Sequence, residues 1–138
     1  MTITIETAPC WRDIARVAAG ETLTLAPAAW ARIDLASRIV ERIVDTGIRA
    51  YGVNTGVGAL SDIVIDKDAQ IRLSRNIILS HACGVGEILP PQAIRAIIAA
   101  QIANLAHGHS GLRPEVVRYL LRFLEADCIP DVPSRGSA

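Results

Sequence analysis

The sequence lacks a net charge of either sign, a long apolar run and an N-terminal segment with the pattern of a secretory signal. Its 14 basic and 14 acidic residues balance, and no cluster of Lys and Arg could neutralise a row of phosphates. Apolar stretches such as AIIAAQIANLA stop far short of the roughly 20 residues that a membrane helix needs. The first residues alternate Thr and Ile, unlike a secretory signal. These absences predict a soluble, cytoplasmic protein with neither a nucleic-acid nor a membrane partner.

Residues that commonly bind metals or form disulfides are few and widely spaced. The cysteines Cys10, Cys83 and Cys128 are odd in number and show no CxxC spacing, which argues against a disulfide framework or a zinc site. We expect reduced thiols, buried as free cysteines usually are. His107 and His109 form an HxH pattern without a third ligand at a known spacing. This pattern predicts a helix cap and turn, and no metal.

The residues that are abundant predict a mainly helical domain. The chain has 138 residues, enough for one domain, and is 51% hydrophobic but only 4% aromatic, so its apolar surface is small and aliphatic. Such surfaces suit the packing of helix on helix. Apolar spacing and terminator residues predict a short strand over 21–27 and helices over 28–46, 69–83, 89–107 and 113–127, with Gly47 ending the first helix and Asp66 or Asp68 capping the second.

A glycine-rich stretch, IRAYGVNTGVGAL, separates the first two predicted long helices. Each glycine costs about 0.5–1 kcal/mol unless the backbone needs its freedom. The stretch lacks the Lys-Ser/Thr of a P-loop and is not a GxGxxG after a strand, which argues against nucleotide binding.

The glycine-rich stretch leaves two interpretations open. It is either a compact turn in which Asn54 bonds its own backbone, or a site in which exposed N–H groups stabilise the phenolate of Tyr51 or hold a carboxylate. In the site interpretation, Tyr51 is a base.

A histidine follows the second predicted helix, in LSHACGVG. His81 is either stabilised by the dipole at the helix C-terminus or is a polar contact in a pocket. The pattern of residues alone does not choose between these two interpretations.

Four stretches occur in the order YGVNTGVG, LSHACGVG, NLAHGHSGLR and PDVPSRGS. Together they resemble the aromatic amino acid ammonia-lyases, that is, the histidine, phenylalanine and tyrosine ammonia-lyases and the related aminomutases. The resemblance implies the N-terminal part of that helical fold, with a few short strands and a glycine-rich active-site loop. Residues 1–138 would form a single N-terminal domain or a fragment of a larger lyase. Tyr51 would be the catalytic base or acid, and Gly58 would lie beside the bound amino acid.

The resemblance also implies a cofactor and an assembly. The electrophile of the family is methylidene-imidazolone, made from an internal Ala-Ser-Gly that follows the GS of the last motif, and this sequence reaches only Ser137 and Ala138. We therefore expect the prosthetic group to arise beyond Ala138 and the chain alone to be inactive. The family assembles as a homotetramer whose sites draw on several subunits, so a homo-oligomer is expected.

The substrate is predicted from a pair of residues. Ser80 and His81 resemble the version of the motif in histidine ammonia-lyases, which favours L-histidine as substrate and urocanate and ammonia as products. Ser80, His81, Gly58 and Asn54 are the predicted substrate contacts. Val57 departs from the family motif, where phenylalanine is usual. The alternatives are a phenylalanine or tyrosine ammonia-lyase or aminomutase, and a non-catalytic helical module that binds an amino acid or a partner subunit.

Overall fold

The computed structural model describes residues 1–58 and 61–136. It confirms a mainly helical fold with short strands. In chain order the elements are β1 (Thr2–Ile5), α1 (Trp11–Ala18), β2 (Thr22–Leu25), α2 (Pro27–Thr46), α3 (Lys67–His81), β3 (Val85–Ile88), α4 (Pro91–Leu105), α5 (Pro114–Glu125) and β4 (Pro133–Arg135). Each described helix is too short or too polar to cross a membrane.

The first three elements form a small β–α–β unit. Strands β1 and β2 pair in parallel, with Thr2 opposite Thr22, and α1 makes the crossover that a parallel pair requires. Ile3 and Leu23 point to the buried face, as the period of two in a strand dictates. The strand predicted over 21–27 is confirmed as β2, whereas β1 and α1 were not predicted.

Helix α4 lies at the centre of the apolar core, between α1 and α5. Its isoleucines at positions 94, 98 and 102 recur every four residues and are all buried. This spacing places them on one face of the helix. The remaining buried apolar side chains of the core are Ile3, Ile5, Val17, Leu23, Leu25, Ala29, Ile33, Ala99, Ala103, Leu105, Ala106, Val117 and Leu124.

A buried arginine on α4 ties together two helix ends. Arg95, only 6% exposed, donates hydrogen bonds to the carbonyl oxygens of Val17 (3.0 Å) and Leu124 (3.2 Å). These carbonyls lie in the last turns of α1 and α5, where intrahelical donors run out and positive charge is favourable. The exposed Asp127 supplies the countercharge, at 2.8 Å. Arg95 therefore fixes α1 and α5 on α4.

Two glycines let α2 pack closely against the turn between α4 and α5. Gly108 and Gly111 both have positive φ, and a Cβ at Gly108 would collide with the backbone of Arg32. A Cβ at Gly111 would collide with Val40. Arg32 also donates a hydrogen bond from Nε to the carbonyl oxygen of Ala106, at 3.1 Å. The glycines of the motif NLAHGHSGLR thus serve helix packing.

The cysteines differ from expectation. Cys10, Cys83 and Cys128 are exposed, so the prediction of burial is wrong, and within the described ranges none of them forms a disulfide. Each lies next to or beyond the end of a helix, where few side chains from other elements are available to cover it.

A candidate active site on the glycine loop and the end of α3

The glycine loop, residues 48–58, is closed by a buried asparagine. The side chain of Asn54 is 2% exposed: its Oδ1 accepts a hydrogen bond from Ala50 N (2.8 Å) and its Nδ2 donates one to Ile48 O (2.8 Å). Gly52, between these contacts, has φ 71°, a conformation that favours glycine. Asn54 therefore bonds the backbone on the N-terminal side of Tyr51. Both polar atoms of this amide already bond the loop backbone. A direct contact between Asn54 and the substrate stays a prediction.

A buried threonine continues the loop's internal bonding. The hydroxyl of Thr55 accepts a hydrogen bond from Gly52 N (3.3 Å) and donates one to Gly56 O (2.9 Å). Gly56 N in turn donates to Ile63 O, at 3.1 Å. The N–H groups of Gly52 and Gly56 therefore donate to Thr55 and Ile63 of the same segment. The structure does not show these two N–H groups stabilising the phenolate of Tyr51, which is one of the two interpretations of the loop.

The loop joins directly to the start of α3. Ile65 N donates to Asn54 O (2.9 Å), and Asp66 Oδ1 accepts from Ala69 N (2.8 Å) as the N-cap of the helix. Gln70 Nε2 also donates to Ile65 O, at 2.7 Å. The helix cap predicted at Asp66 is confirmed. Hydrogen bonds thus join the glycine loop, the connector (residues 61–66) and the first turn of α3 into one segment.

Tyr51 lies on the outside of this segment. Its side chain is 69% exposed, while Asn54 and Thr55 of the same loop are buried. Within the described residues no hydrogen bond engages its hydroxyl. A phenol in this position is open to a molecule approaching from outside the loop.

The predicted substrate contact Gly58 and its neighbour Val57 follow Tyr51 in the same loop. Gly58 is exposed with φ 59°, and its carbonyl oxygen accepts a hydrogen bond from Ser61 N at 3.1 Å. Val57 beside it is exposed as well. A role for Gly58 next to a bound amino acid stays a prediction.

Ser80 and His81 are joined at the C-terminal end of α3. The Oγ of Ser80 lies 2.9 Å from Nδ1 of His81, and both atoms bond the carbonyl oxygen of Ile77, at 3.0 Å and 2.8 Å. Both side chains are exposed. The ring of His81 is therefore held against its own helix by Nδ1, with Nε2 left as its other polar atom.

The second and fourth family motifs meet just after His81. Strand β3 pairs antiparallel with β4, with Val85 opposite Arg135. Gly136, with φ 100°, comes so close to Cys83 that a Cβ there would collide with its carbonyl oxygen. The pairing brings PDVPSRGS to LSHACGVG, although the two stretches are far apart in the sequence. Ser137 and Ala138 lie outside the described residues.

The Tyr51 loop and the His81 end of α3 are not directly bonded. In the described part of the chain no hydrogen bond joins the glycine loop to Ser80 or His81. The loop instead borders the first half of α3, where Val44, Val53, Gln70, Ile71 and Ser74 line an open groove of about 420 Å³. Ser80 and His81 thus form one part of the candidate site, and Tyr51 with its loop forms another.

The HxH pair forms the predicted turn. His107 and His109 follow α4, and their exposed rings stack 6.5 Å apart with an interplanar angle of 4°. Among residues 1–58 and 61–136, no group of three His, Cys, Asp or Glu side chains is placed to hold a metal ion.

Sequence reasoning missed Thr55 and Gln70. Both position the site by bonding the backbone of the loop and its connector. A threonine between two glycines is a signal for a side-chain-to-backbone turn, and could have predicted the first of these roles. No comparable local signal points to Gln70, whose partner Ile65 lies before the helix begins.

Comparison with known proteins identifies the family. A family model described as aromatic amino acid lyase matches residues 10–138. Histidine ammonia-lyase from Deinococcus radiodurans is 44% identical over 118 residues, which is 86% of this chain and 22% of that protein.

Solved structures agree with the family match. Histidine ammonia-lyase from Trypanosoma cruzi has a TM-score of 0.89 at 30% identity, covering 99% of this chain and 27% of that one. Tyrosine aminomutase from Streptomyces globisporus has a TM-score of 0.91 at 30% identity, covering 99% and 26%. The chain spans about a quarter of the length of these proteins. With the family model matching nearly all of it, the chain belongs to the aromatic amino acid lyase family.

Proposed function

We propose that this chain is part of a carbon–nitrogen lyase that eliminates ammonia from L-histidine, with Tyr51 as the base. The observation that carries the proposal is an exposed phenol on a loop whose backbone is hydrogen-bonded by the buried side chains of Asn54 and Thr55. A base has to be held in place yet reach the substrate, and this arrangement provides both.

The proton transfer assigned to Tyr51 follows from the chemistry of elimination. Its phenolate takes the β proton of the amino acid, and the electron pair of that C–H bond becomes the second bond of the new alkene. The C–N bond breaks, and its electron pair leaves with nitrogen as ammonia. From L-histidine the products are urocanate and ammonia.

This chain does not supply an electrophile for the leaving amine. The sequence contains no Ala-Ser-Gly, so its residues do not fit the formation of methylidene-imidazolone. We propose that another part of the complete enzyme provides the group, and that these 138 residues alone release no urocanate. The contribution assigned to this chain is binding and proton transfer.

The preference for L-histidine rests on Ser80 and His81 together with the relatives. A histidine at the end of α3 offers a polar contact to an imidazole substrate, which a phenyl ring cannot use. We assign His81 and Ser80, with Gly58 and the loop around Asn54, to substrate binding. The similarity to a tyrosine aminomutase favours a second candidate, in which the substrate is another aromatic amino acid.

The assembly belongs to the proposal as well. Apolar side chains of α3 are exposed, among them Ile71, Ile78 and Leu79. Exposed apolar surface of this kind marks contact with another protein surface. We propose a homo-oligomer, a tetramer in the complete enzyme, and a cytoplasmic location, with an amino acid as the small-molecule ligand.

A chimera tests the function. Residues 10–138 of this chain would replace the matching part of the Deinococcus radiodurans enzyme, and urocanate would be followed by its absorbance with L-histidine as substrate. We expect activity, and a loss on the order of 100-fold or more for Tyr51→Phe, because a positioned base contributes about that much. Tyr119→Phe is the matched control, since Tyr119 is an exposed phenol on α5.

The outcomes separate the candidate functions. Equal activity of Tyr51→Phe and the parent chimera would remove Tyr51 from the reaction. A correctly assembled chimera without activity on L-histidine, phenylalanine or tyrosine would favour the non-catalytic module. Activity on tyrosine but not on histidine would favour the second candidate.

A further inference from the structure

We propose that Ser80 is a positioning residue that fixes the tautomer of His81, so that His81 offers Nε2 to the substrate as a hydrogen-bond acceptor. The inference rests on the proposed function, in which His81 contacts the amino acid. It adds which ring nitrogen of His81 makes that contact and which kind of substrate group this nitrogen recognises. It also names the neighbouring residue that helps to fix the tautomer of the ring.

The tautomer follows from the Ile77 carbonyl. Nδ1 of His81 lies 2.8 Å from Ile77 O, and a carbonyl oxygen can only accept a hydrogen bond. A bare Nδ1 at this distance would set two lone pairs against each other. Nδ1 must therefore carry the proton, and the neutral ring then keeps its lone pair on Nε2.

Ser80 completes the arrangement. Its hydroxyl lies 3.0 Å from Ile77 O and 2.9 Å from His81 Nδ1. The Oγ–H donates to the carbonyl, which leaves the Oγ lone pairs facing the Nδ1 proton. That proton is then shared between two acceptors, Ile77 O and Ser80 Oγ. Both favour the same tautomer and hold the ring against the helix.

The chemistry recognised is an N–H donor. An exposed Nε2 lone pair accepts a hydrogen bond from an ammonium group or from the N–H of an imidazole, and it repels a carboxylate. L-histidine and L-phenylalanine both carry an ammonium group, but only the side chain of L-histidine adds an N–H donor. Ser80 thus acts on specificity through His81 without touching the substrate.

The test reads the tautomer directly. The chain would be labelled with ¹⁵N, and two-bond ¹H–¹⁵N correlations of the histidine rings recorded at a pH at which all three are neutral. We expect His81 to show a protonated Nδ1 and a bare Nε2. His107 and His109 serve as internal references, because no hydrogen bond of their rings is present in the described structure.

Substitutions at position 80 test the positioning role. In Ser80→Ala one of the two Nδ1 acceptors is lost, so the exposed ring should leave the Ile77 carbonyl for part of the time, and the His81 pattern should shift toward a mixture of tautomers. Ser80→Thr keeps the hydroxyl and should restore the parent pattern. Ser74→Ala, an exposed serine on the same helix, should leave it unchanged.

Two results would overturn the proposal. One is a His81 protonated on Nε2 in the parent chain, and the other is a Ser80→Ala pattern identical to the parent. Neither result depends on ammonia release, so failure here is separate from failure of the elimination assay. An inactive chimera would likewise leave the tautomer measurement standing.

Discussion

Two regions of the molecule are stabilised in different ways. The elements before residue 48 and after residue 88 contribute every buried apolar side chain in the described part of the chain. Among the described side chains of residues 48–88, the buried ones are those of Asn54 and Thr55, both polar. The first region is a packed core, and the second, which carries Tyr51 and His81, is held by hydrogen bonds and a helix cap. The candidate site thus lies where the chain has the least apolar support.

Helix α3 illustrates the difference. The sequence predicts an apolar face from Ile71, Ile77, Ile78 and Leu79, but three of these side chains are exposed and Ile77 is only half-buried. Among the described residues, little covers these apolar side chains. The stability of α3 in isolation therefore depends on the Asp66 cap and the loop, since isolated helices of about 12–15 residues are marginal in water.

Matched isoleucine substitutions in the two regions should give the largest difference in stability. Ile102 is 0% exposed on α4, and Ile78 is 70% exposed on α3. Ile102→Ala should lower the free energy of unfolding by about 2–5 kcal/mol, because it removes buried methyl groups and leaves a cavity. Ile78→Ala should change it by less than about 0.5 kcal/mol. Chemical denaturation followed by circular dichroism measures both.

The opposite result for Ile78 would be informative. If Ile78→Ala were as destabilising as Ile102→Ala, the exposed face of α3 would be covered in solution. Repeating the denaturation at several protein concentrations would then show whether a second copy of the chain covers it. The contrast between the two regions would hold for the monomer alone.

The next largest effect is expected at the loop. Asn54→Ala leaves Ala50 N and Ile48 O without their side-chain partners, at a cost of about 1–3 kcal/mol. Because the loop contributes no apolar side chain to the core, we expect the loss to appear as local opening. Hydrogen exchange should quicken at Ala50 and stay unchanged at Ile102. Asn76→Ala, at an exposed position on α3, is the control. Faster exchange of the core amides in Asn54→Ala than in the parent, or equal exchange at Ala50 in the two proteins, would contradict the prediction.

Much of the packed region could be predicted because its signals are local. Helix α2 ends at Gly47 in the left-handed conformation, as its sequence indicates, and α4 and α5 begin at the predicted prolines, Pro91 and Pro114. Strands β1, β3 and β4 depend on partners distant in the sequence. Four residues such as TITI give no indication of where the second strand lies. Pairing between distant segments, rather than local preference, decided these elements.

The candidate site was predictable in a different way. Tyr51 and His81 were selected by resemblance to a family, and the turn chemistry of Asn54 was one of two open interpretations of the loop. The structure shows that Asn54 bonds its backbone, and it leaves Tyr51 exposed. The hydrogen bond from Gly56 N to Ile63 O could not be predicted. Which donor finds which acceptor depends on the folded path of the chain.

A smaller effect is expected at the start of α3. Asp66→Ala removes the acceptor for Ala69 N and should cost about 1 kcal/mol, as the loss of an N-cap usually does. Asp66→Asn keeps a side-chain oxygen and is the matched control. Amide exchange in the first turn of α3 would report the loss. Equal protection in the alanine and asparagine variants would show that packing, and not the cap, holds this end of the helix.

The smallest expected effect is a loss of stability at low pH, and it arises in the packed region. Arg16 bonds both carboxylate oxygens of Glu21, at 2.9 Å and 2.6 Å, and these hydrogen bonds lower the pKa of Glu21 below its ordinary value of 4.5. The stabilisation is therefore present above pH 4.5 and is lost as the pH falls through the lower pKa of the folded state. Both side chains are partly accessible to solvent, which screens the pair, so the change in melting temperature should be slight.

Glu21→Gln tests whether this acid sensitivity comes from the α1–β2 contact. The difference between the melting temperatures at about pH 7 and about pH 3 should be smaller in Glu21→Gln than in the parent. The reason is that the variant has no carboxylate at position 21 to protonate. Glu115→Gln is the control, since Glu115 pairs with Arg118 within one turn of α5 and joins no two elements. If both variants retain the full acid sensitivity of the parent, its source lies elsewhere.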